Sequence, residues 1–137
     1  MLGIGTDIVE TSRVEHWADD ADILSLVFTI TERAAAINRK YPQRYLAVAF
    51  AVKESFMKAV GTGWGDGVQW RDIEVSDGKK GCVVRLYNRA KELCEGRNVF
   101  VSTSCSRDLA VALVAIEEIV GAVHEQPPPI KRMSIHD

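Results

Sequence analysis

Residues 42–61, PQRYLAVAFAVKESFMKAVG, decide the fold because they predict the longest helix in the chain. Pro42 suits the first turn of a helix, and Gly61 suits the position that follows the last turn. One face of this helix is apolar at helical spacing. The opposite face is also mostly apolar, although it carries Glu54 and Lys58. A helix that is apolar on both faces is covered on both, and a second subunit is one candidate cover.

The segments around this helix predict an α+β domain, with helices after the first strand and a strand-rich second half. Upstream, we expect a strand over residues 2–9 that ends near Asp7 and whose glycines indicate close backbone approach. A short helix capped by Thr11 or Ser12 follows, and a second helix covers about 31–39. Downstream, the pattern predicts strands at 70–75, 82–87, 98–104 and 109–117, a short helix at 87–95, and turns at 77–78 and 106–108.

The composition is that of a single globular domain. The net charge of −2 gives no reason to expect bulk binding to nucleic acid or to a membrane. No stretch is long and apolar enough to span a bilayer, and the N-terminus lacks the features of a signal peptide. The spacing of the three cysteines matches no zinc motif and argues against a disulfide framework, which favours a cytoplasmic protein. We expect one domain over residues 1–120 and a loose, proline-containing extension over 121–137.

Glu54 and Lys58 are four residues apart and are therefore neighbours on the helix surface. The commonest role of this spacing is an exposed ion pair. Two charges on an otherwise apolar face are costly unless they are used, which favours a functional role. Asp7 is either a turn residue or a metal ligand, since magnesium commonly takes one or two carboxylates together with waters and substrate phosphates. From the residues alone the pairing of Asp7 with Glu54 stays open, because they are far apart in the chain.

The loop at residues 61–67 is rich in glycine. Such a loop lets backbone amides approach a phosphate, but it also serves as a plain helix end and turn. The negative end of the helix dipole lies here and repels anions. Phosphate binding at this loop would therefore depend on Lys58.

Three stretches, taken in order, resemble the holo-acyl-carrier-protein synthases, the small trimeric type within the 4'-phosphopantetheinyl transferase superfamily. They are residues 3–10, GIGTDIVE, followed by Arg13; residues 50–63, FAVKESFMKAVGTG; and residues 70–75, WRDIEV. The resemblance covers about residues 1–118 with order and spacing intact. It implies the fold of that family, an antiparallel sheet with a long helix packed on it.

The resemblance implies an enzyme that transfers the 4'-phosphopantetheine group of coenzyme A, its co-substrate, to a serine of an apo acyl or peptidyl carrier protein. It implies Mg²⁺ as cofactor, 3',5'-adenosine bisphosphate as the other product, and a homotrimer with active sites between subunits. The family's metal ligands fall on Asp7 and Glu54, and Lys58 lies near the transferred phosphate. The base is Glu54 or a water that it holds with the metal. The resemblance also assigns Lys58, Gly61, Thr62, Gly63 and Ser104 to coenzyme A, and Arg13, Val14, Trp17 and Phe50 to the carrier.

Two departures concern coenzyme A. Cys105 stands where histidine is usual, and a thiol cannot offer a positive charge to a phosphate. Ala49 stands where many members have an arginine that serves a coenzyme A phosphate. Nearby basic residues, Arg39, Lys40 or Arg44, would then have to compensate.

A third departure concerns the carrier. Residues 14–22, VEHWADDAD, are acidic, whereas the first helix of the family tends to be basic and faces an acidic carrier. Like charges across an interface cost affinity and specificity. A carrier of a polyketide or nonribosomal pathway therefore fits better than the usual carrier of fatty acid biosynthesis.

Two other functions stay open from the sequence. The first is a family member with lost or altered activity, which binds a carrier or coenzyme A or acts on a carrier-bound thioester in a specialised pathway. Ala49, Cys105 and the acidic helix favour it, whereas the presence of Asp7, Glu54 and Lys58 favours an active transferase. The second is an unrelated magnesium phosphohydrolase, which would generally need more carboxylates.

Overall fold

The fold is built around the long helix, whose bounds are those that the sequence predicts. The computed structural model describes residues 3–61 and 67–119. The helix runs from Pro42 to Val60, and Gly61 ends it in the left-handed conformation at φ 72°. Glycine adopts this conformation without the steric cost that a Cβ atom imposes.

The other elements are short helices and antiparallel strands. A 3₁₀ turn at Trp70–Asp72 connects the long helix to the second half of the chain. In chain order, the strands and helices are β1 (Gly3–Glu10), α1 (Thr11–Glu15), α2 (Ala21–Val27), α3 (Ile30–Ile37), α4 (Pro42–Val60), β2 (Ile73–Gly78), β3 (Gly81–Leu86), α5 (Asn88–Leu93), β4 (Arg97–Cys105) and β5 (Leu109–Glu118).

The described strands form two antiparallel units. Strands β1, β5 and β4 pair in that spatial order, and β2 pairs with β3 in a separate hairpin. Helix α4 packs mainly against β1 and β5. The predicted α+β fold, an antiparallel sheet with a long helix packed on it, is confirmed.

Strand β1 lies very close to α4 because glycines face the helix. A Cβ atom on Gly3 would lie 1.8 Å from the carbonyl oxygen of Ala59, and one on Gly5 would lie 2.0 Å from the carbonyl oxygen of Ser55. Both distances are far inside van der Waals contact, so only glycine lets the two backbones meet here. The close approach that the sequence indicates is confirmed.

The side of α4 that faces away from β1 and β5 is covered by the same chain. Lys53 and Glu32 lie there with fully buried side chains, each 0% exposed, and form an ion pair at 2.9 Å. The Lys53 ammonium also donates to the carbonyl oxygens of Trp70 and Ile73. The ring of Phe28 lies 5.8 Å from the same ammonium. Lys58 lies on a different side of the helix and is 54% exposed, so cover of that side by a second subunit stays a prediction.

Two predictions about the chain around α1 are wrong. Strand β1 does not end near Asp7 but continues to Glu10, because it pairs with β5 over its whole length. Neither Thr11 nor Ser12 caps α1, which begins without a side-chain cap. The Thr11 hydroxyl instead donates to the carbonyl oxygen of Arg107 and ties this corner to the turn between β4 and β5.

The helices before α4 also differ from the prediction. Helix α3 begins at Ile30 because Thr29 caps it: its hydroxyl accepts from the Glu32 N–H at 3.1 Å, and Glu32 Oε1 accepts from the Thr29 N–H at 2.9 Å. Helix α2 is absent from the prediction. The Asp20 carboxylate caps it by accepting from two backbone N–H groups in its first turn.

In the second half of the chain, the elements are as predicted but some boundaries shift. Strand β2 starts at Ile73 and not at residue 70, since residues 70–72 form the 3₁₀ turn. The hairpin turn lies at Lys79 and Lys80, because the pairing of β2 with β3 extends to Gly78. The turn at 106–108 is confirmed.

The described helices give no membrane-spanning candidate: none of them is long and apolar enough to cross a membrane. The extension predicted over 121–137 lies outside the described residues.

We expect Gly5→Ala to destabilise the protein by about 3 kcal/mol, because the added methyl group meets the Ser55 backbone. Gly96→Ala is the matched control. A Cβ atom there meets nothing within 4 Å, so only the left-handed backbone opposes it, at a cost of about 1 kcal/mol. Urea unfolding measures both losses. Equal losses would contradict the tight packing of β1 on α4.

Candidate functional site

The three charged residues that the sequence singles out lie together at the C-terminal half of α4. Asp7 is on the face of β1 that packs on this helix, two residues beyond Gly5. The Lys58 ammonium is 3.1 Å from Asp7 Oδ1 and donates to the carbonyl oxygen of Thr6 at 3.0 Å. The packing of β1 on α4 therefore joins Asp7 to residues about fifty positions away.

Glu54 lies one helical turn before Lys58 and is half-buried. Burial, together with the negative charge of Asp7, raises the pKa of Glu54, while the positive charges of Arg13 and Lys58 oppose the rise. Asp7 and Glu54 are thus close enough to repel one another. A bound divalent cation would relieve that repulsion.

Lys58 forms its ion pair with Asp7 on a neighbouring strand; among the described residues it has no such pair with Glu54 on its own helix. The Lys58 side chain is 54% exposed, and that of Asp7 is 18% exposed. An ion pair at this exposure contributes little to stability. Lys58 can therefore leave Asp7 for an anionic ligand at little cost, and the ordinary ion pair along one helix is not what the structure contains.

Asp7 and Glu54 suit a hard divalent cation, because both offer carboxylate oxygens. Within residues 3–61 and 67–119, no group of three or more His, Cys, Asp or Glu side chains is placed to hold a metal ion. Two protein carboxylates match magnesium, which commonly keeps waters and substrate phosphates as its other ligands. The donor set therefore fits magnesium bound together with a phosphate ligand.

The glycine loop that follows α4 is described only at its edges. Gly61 lies one turn beyond Lys58, and a Cβ atom there would meet nothing within 4 Å. Thr62 and Gly63 lie outside the described residues. The predicted role of this loop in binding coenzyme A stays a prediction.

Ser104, also assigned to coenzyme A, is not near Asp7 within one chain. Asp7 pairs with Ala112, and Ala112 pairs with Thr103 on the far strand, so the three residues share the sheet face that packs on α4. Thr103 is buried on that face, whereas Ser104 is exposed on the other. Ser104 therefore cannot join Asp7 in the site of its own chain.

Of the four residues assigned to the carrier, only Arg13 and Trp17 reach the surface. The Arg13 guanidinium lies 5.6 Å from the ring centroid of Trp17 and 5.2 Å from that of Phe50. Val14 and Phe50 are 1% and 3% exposed. They cannot contact a carrier from the surface, so that assignment is corrected: they are core residues. The ring centroid of Phe50 lies 4.9 Å from that of Trp17, in an edge-on arrangement. It lies 5.3 Å from that of Trp70, in a tilted arrangement.

A basic pocket precedes α4, on the side of the chain where compensation for Ala49 is expected. Its volume is about 220 Å³. The guanidinium of Arg44 lies 4.1 Å from the ring of Tyr41. Ala49 itself is fully buried, whereas Lys40 of the pocket is exposed and its two arginines are half-buried. The lining residues are Arg39, Lys40, Tyr41, Arg44 and Tyr45.

Sequence reasoning missed the buried ion pair of Lys53 with Glu32. A signal for it was present. Lys53 lies at helical spacing from Ala49 and Phe56, both fully buried, so its side chain had to enter the core. A lysine in that position requires an acidic partner, but the sequence does not say which one.

The chain was compared with protein families and with known proteins. A family model described as the 4'-phosphopantetheinyl transferase superfamily matches residues 3–114. The holo-[acyl-carrier-protein] synthase of Geobacter sp. (strain M21) is 37% identical over 85% of this chain and 98% of that protein. The holo-[acyl-carrier-protein] synthase of Chlamydia muridarum (strain MoPn / Nigg) is 38% identical over 89% and 98%.

Solved structures agree with these relatives. The crystal structure of a holo-(acyl-carrier-protein) synthase from Bacillus anthracis str. Ames in complex with CoA (3',5'-ADP) has a TM-score of 0.73 and 34% identity, over 85% of this chain and 96% of that chain. The corresponding enzyme from Neisseria meningitidis has a TM-score of 0.73 and 30% identity, over 86% and 98%. The chain belongs to the 4'-phosphopantetheinyl transferase superfamily and is an enzyme of the holo-[acyl-carrier-protein] synthase type.

We expect Glu54→Gln to raise the midpoint of thermal unfolding at neutral pH in magnesium-free buffer. A carboxyl whose pKa is raised by folding holds its proton more tightly in the folded chain, so folding is disfavoured as the pH rises above the unfolded pKa. Glutamine carries no such cost. Below about pH 3 Glu54 is protonated in both the folded and the unfolded chain. The part of the change in midpoint that comes from the raised pKa should therefore vanish.

The measurement is a series of thermal scans across pH. Glu15→Gln, at an exposed position of α1, is the matched control. If both substitutions changed the midpoint equally at every pH, the raised pKa of Glu54 would be refuted.

Proposed function

We propose that this enzyme transfers the 4'-phosphopantetheine group of coenzyme A to a serine of an apo carrier protein, in a magnesium-dependent reaction that releases 3',5'-adenosine bisphosphate. The observation that carries the proposal is the convergence of Asp7, Glu54 and Lys58 where β1 crosses α4. Family membership supports the reaction, since the relatives are synthases of holo-acyl-carrier protein.

The reaction is a phosphoryl-type transfer to an alcohol. The serine oxygen of the carrier attacks the phosphorus that bears the pantetheine arm. A new bond joins that oxygen to the phosphorus, and the bond from the phosphorus to the bridging pyrophosphate oxygen breaks. The electron pair of the broken bond leaves with 3',5'-adenosine bisphosphate, and the serine proton passes to a base.

Glu54 is the proposed base, acting directly or through a water that it holds. It is half-buried and projects beside Asp7, so it can reach a group bound over β1. The raised pKa of Glu54 makes its carboxylate a better proton acceptor. The nearby positive charges of Arg13 and Lys58 oppose the rise in its pKa and so favour the carboxylate form.

Lys58 is proposed to hold the pyrophosphate. The Lys58 side chain is more than half exposed, and its hydrogen-bond partners among the described residues are Asp7 Oδ1 and the carbonyl oxygen of Thr6, so its ammonium can donate to a phosphate oxygen. Mg²⁺, when bound by Asp7 and Glu54, would offset the negative charge of the pyrophosphate and the charge that develops on the leaving oxygen. Two carboxylates and one lysine are thus enough to hold the ion and the pyrophosphate, because the phosphate oxygens of the substrate serve as further metal ligands.

The remaining phosphate of coenzyme A needs a cation of its own. The basic pocket lined by Arg39, Lys40 and Arg44 supplies the exposed Lys40 and two half-buried arginines, of which Arg39 also pairs with Asp77. We assign this pocket to that phosphate, in place of the arginine that many members have at position 49. Gly61, Thr62 and Gly63, which follow Lys58 at the end of α4, are proposed to contact coenzyme A. Ser104 is assigned to the coenzyme A bound at a neighbouring subunit, since it faces away from the site of its own chain.

The proposed homotrimer is supported by an apolar surface on the sheet. On the side away from α4, Ile4 and Ile8 are 55% and 65% exposed, and Leu109 and Val111 of the neighbouring strand are 42% and 39% exposed. Ile8 pairs directly with Val111, and Ile4 pairs with Ala115 further along the same face, with the half-buried Leu113 between these two pairs on β5. A contiguous apolar patch of this kind marks a contact surface. Contact through it would place Ser104 at the subunit boundary.

The proposed carrier is one of a specialised pathway. Glu15, Asp19 and Asp22 are exposed next to Arg13 and Trp17, so this surface repels an acidic helix. We also propose that residues 1–120 form the transferase domain, since β5 ends at residue 118, and that 121–137 are an extension of it.

We expect the protein, given coenzyme A and Mg²⁺, to add the phosphopantetheine arm to at least one carrier in a panel of apo proteins from fatty acid, polyketide and nonribosomal pathways. Mass spectrometry of each carrier detects the added arm. An acidic fatty-acid carrier should react more slowly, and added salt should narrow the gap by screening the repulsion. Equal rates at both salt concentrations would contradict the charge-based choice of carrier.

Glu54→Gln should abolish transfer in the same assay and leave the oligomeric state unchanged, whereas Glu15→Gln should retain it. Unchanged rates in Glu54→Gln would refute the role of Glu54. Coenzyme A binding without transfer to any carrier would favour a binding protein, and hydrolysis of coenzyme A without a carrier would favour a phosphohydrolase.

We expect Ile4→Lys to break the trimer into monomers, because the lysine places a charge in an apolar contact. Sedimentation analysis measures the mass. Ile37→Lys, at a position 79% exposed on α3, is the matched control and should leave the trimer intact. A monomeric unmodified protein, or a trimeric Ile4→Lys, would rule out this surface as the contact.

A further inference from the structure

A second basic cavity lies outside the site described above. Its volume is about 790 Å³. One wall is the start of α3 (residues 29–31), the second is the 3₁₀ turn, and the third is the junction of β3 with α5. Nothing in the proposed reaction uses it.

The floor of this cavity is held in place by hydrogen bonds. Asp72 is 4% exposed; its Oδ1 accepts from the Asn88 amide at 3.0 Å, and its Oδ2 accepts from the Gln69 N–H at 2.9 Å. Glu74 accepts from the Tyr87 hydroxyl at 3.2 Å. Both carboxylates of the cavity are therefore held by donors of the same chain.

Asn88 is held in an unusual backbone conformation. Its φ of 50° makes it the one non-glycine residue with positive φ among the described residues. Such a conformation is maintained only where the surroundings determine it, and it recurs at binding sites. Its hydrogen bond to Asp72 fixes the rim of the cavity at the start of α5.

The rim carries cations that are available for a ligand. Arg71, Arg85 and Lys91 line the cavity and are exposed. Within residues 3–61 and 67–119, none of the three forms an ion pair. Ile30 of the same lining is 78% exposed and offers an apolar contact between them. The surface suits a ligand with carboxylates around an apolar side chain.

A chain of packed rings connects the cavity with the surface assigned to the carrier. Arg71 follows Trp70, the Trp70 ring packs on Phe50, and Phe50 packs on Trp17. Helix α2, which follows the carrier surface in the chain, also contacts the 3₁₀ turn. A protein seated on Arg13 and Trp17 would therefore meet this rim at its edge.

We propose that this cavity is a second docking surface for the carrier protein and takes an acidic segment of the carrier away from the modified serine. The proposal rests on the proposed function. The exposed acids around Trp17 repel negative charge near the serine, whereas the rim of the cavity attracts it. Together the two surfaces select a carrier whose acidic residues lie apart from its serine. Selection then depends on where the charges lie on the carrier and not only on its net charge.

The test uses Arg71→Gln/Lys91→Gln, which removes one cation from each of two walls. Lys79→Gln/Lys80→Gln, in the β2–β3 turn away from the cavity, removes the same charge and is the matched control. Transfer to the best carrier of the panel is measured at low salt. The cavity variant should raise KM for the carrier about fivefold and leave kcat and KM for coenzyme A unchanged. The control should leave all three unchanged.

Several results would overturn the proposal. An unchanged KM for the carrier, or an equal rise in the control, would show that the cavity takes no part in docking. A rise in KM for coenzyme A alone would assign the cavity to the co-substrate. Thermal unfolding verifies that both variants are folded. If the variant with both Arg71→Gln and Lys91→Gln does not fold, each substitution is tested alone.

Failure of the proposed function is distinguished by direct binding. If the unmodified protein modifies no carrier, fluorescence anisotropy of a labelled acidic apo acyl carrier protein replaces the kinetic assay. Binding that the cavity variant loses and the control retains would support the docking surface without transfer. Binding equal in both variants, or absent from the unmodified protein, would refute it.

Discussion

The contact between β1 and α4 is the constraint on which the rest of the structure depends. Gly3 and Gly5 let the strand backbone touch the helix backbone, and any side chain at either position would collide with it. That contact determines how close Asp7 lies to Glu54 and Lys58. A strand held one side-chain layer further away would carry Asp7 away from Glu54 and Lys58. The position of Asp7 in the site therefore depends on glycine at positions 3 and 5.

The other side of α4 is fixed by the buried pair of Lys53 and Glu32. Burial lowers the pKa of Lys53, and the carboxylate of Glu32 opposes that shift. Glu32 also accepts from the N–H groups of Thr29 and Val75, so one ion pair joins α3, α4 and β2. Removal of one partner would leave an unpaired buried charge, which is strongly destabilising. Because Lys53 directly precedes Glu54, the pair also sets which way Glu54 faces.

The sequence predicts the long helix, its capping proline and glycine, and most strands, because each depends on local pattern. It does not predict α2, which is short and depends on the Asp20 cap, or the extension of β1 to Glu10, which depends on pairing with β5. Two of the charged residues in the site stand out from their apolar helix face. Asp7 joins them only through packing, which spacing alone cannot show. The burial of Phe50 and the opposite orientation of Ser104 likewise follow from tertiary contacts.

The central claim is that Asp7 and Glu54 act together on one magnesium ion with a phosphate ligand. The most direct measurement is calorimetric titration of Mg²⁺ into the protein saturated with coenzyme A, for the unmodified chain and for Asp7→Asn and Glu54→Gln. If the two carboxylates share one ion, the unmodified protein binds Mg²⁺ and each substitution alone removes most of this binding. Binding of equal strength in either variant would contradict it.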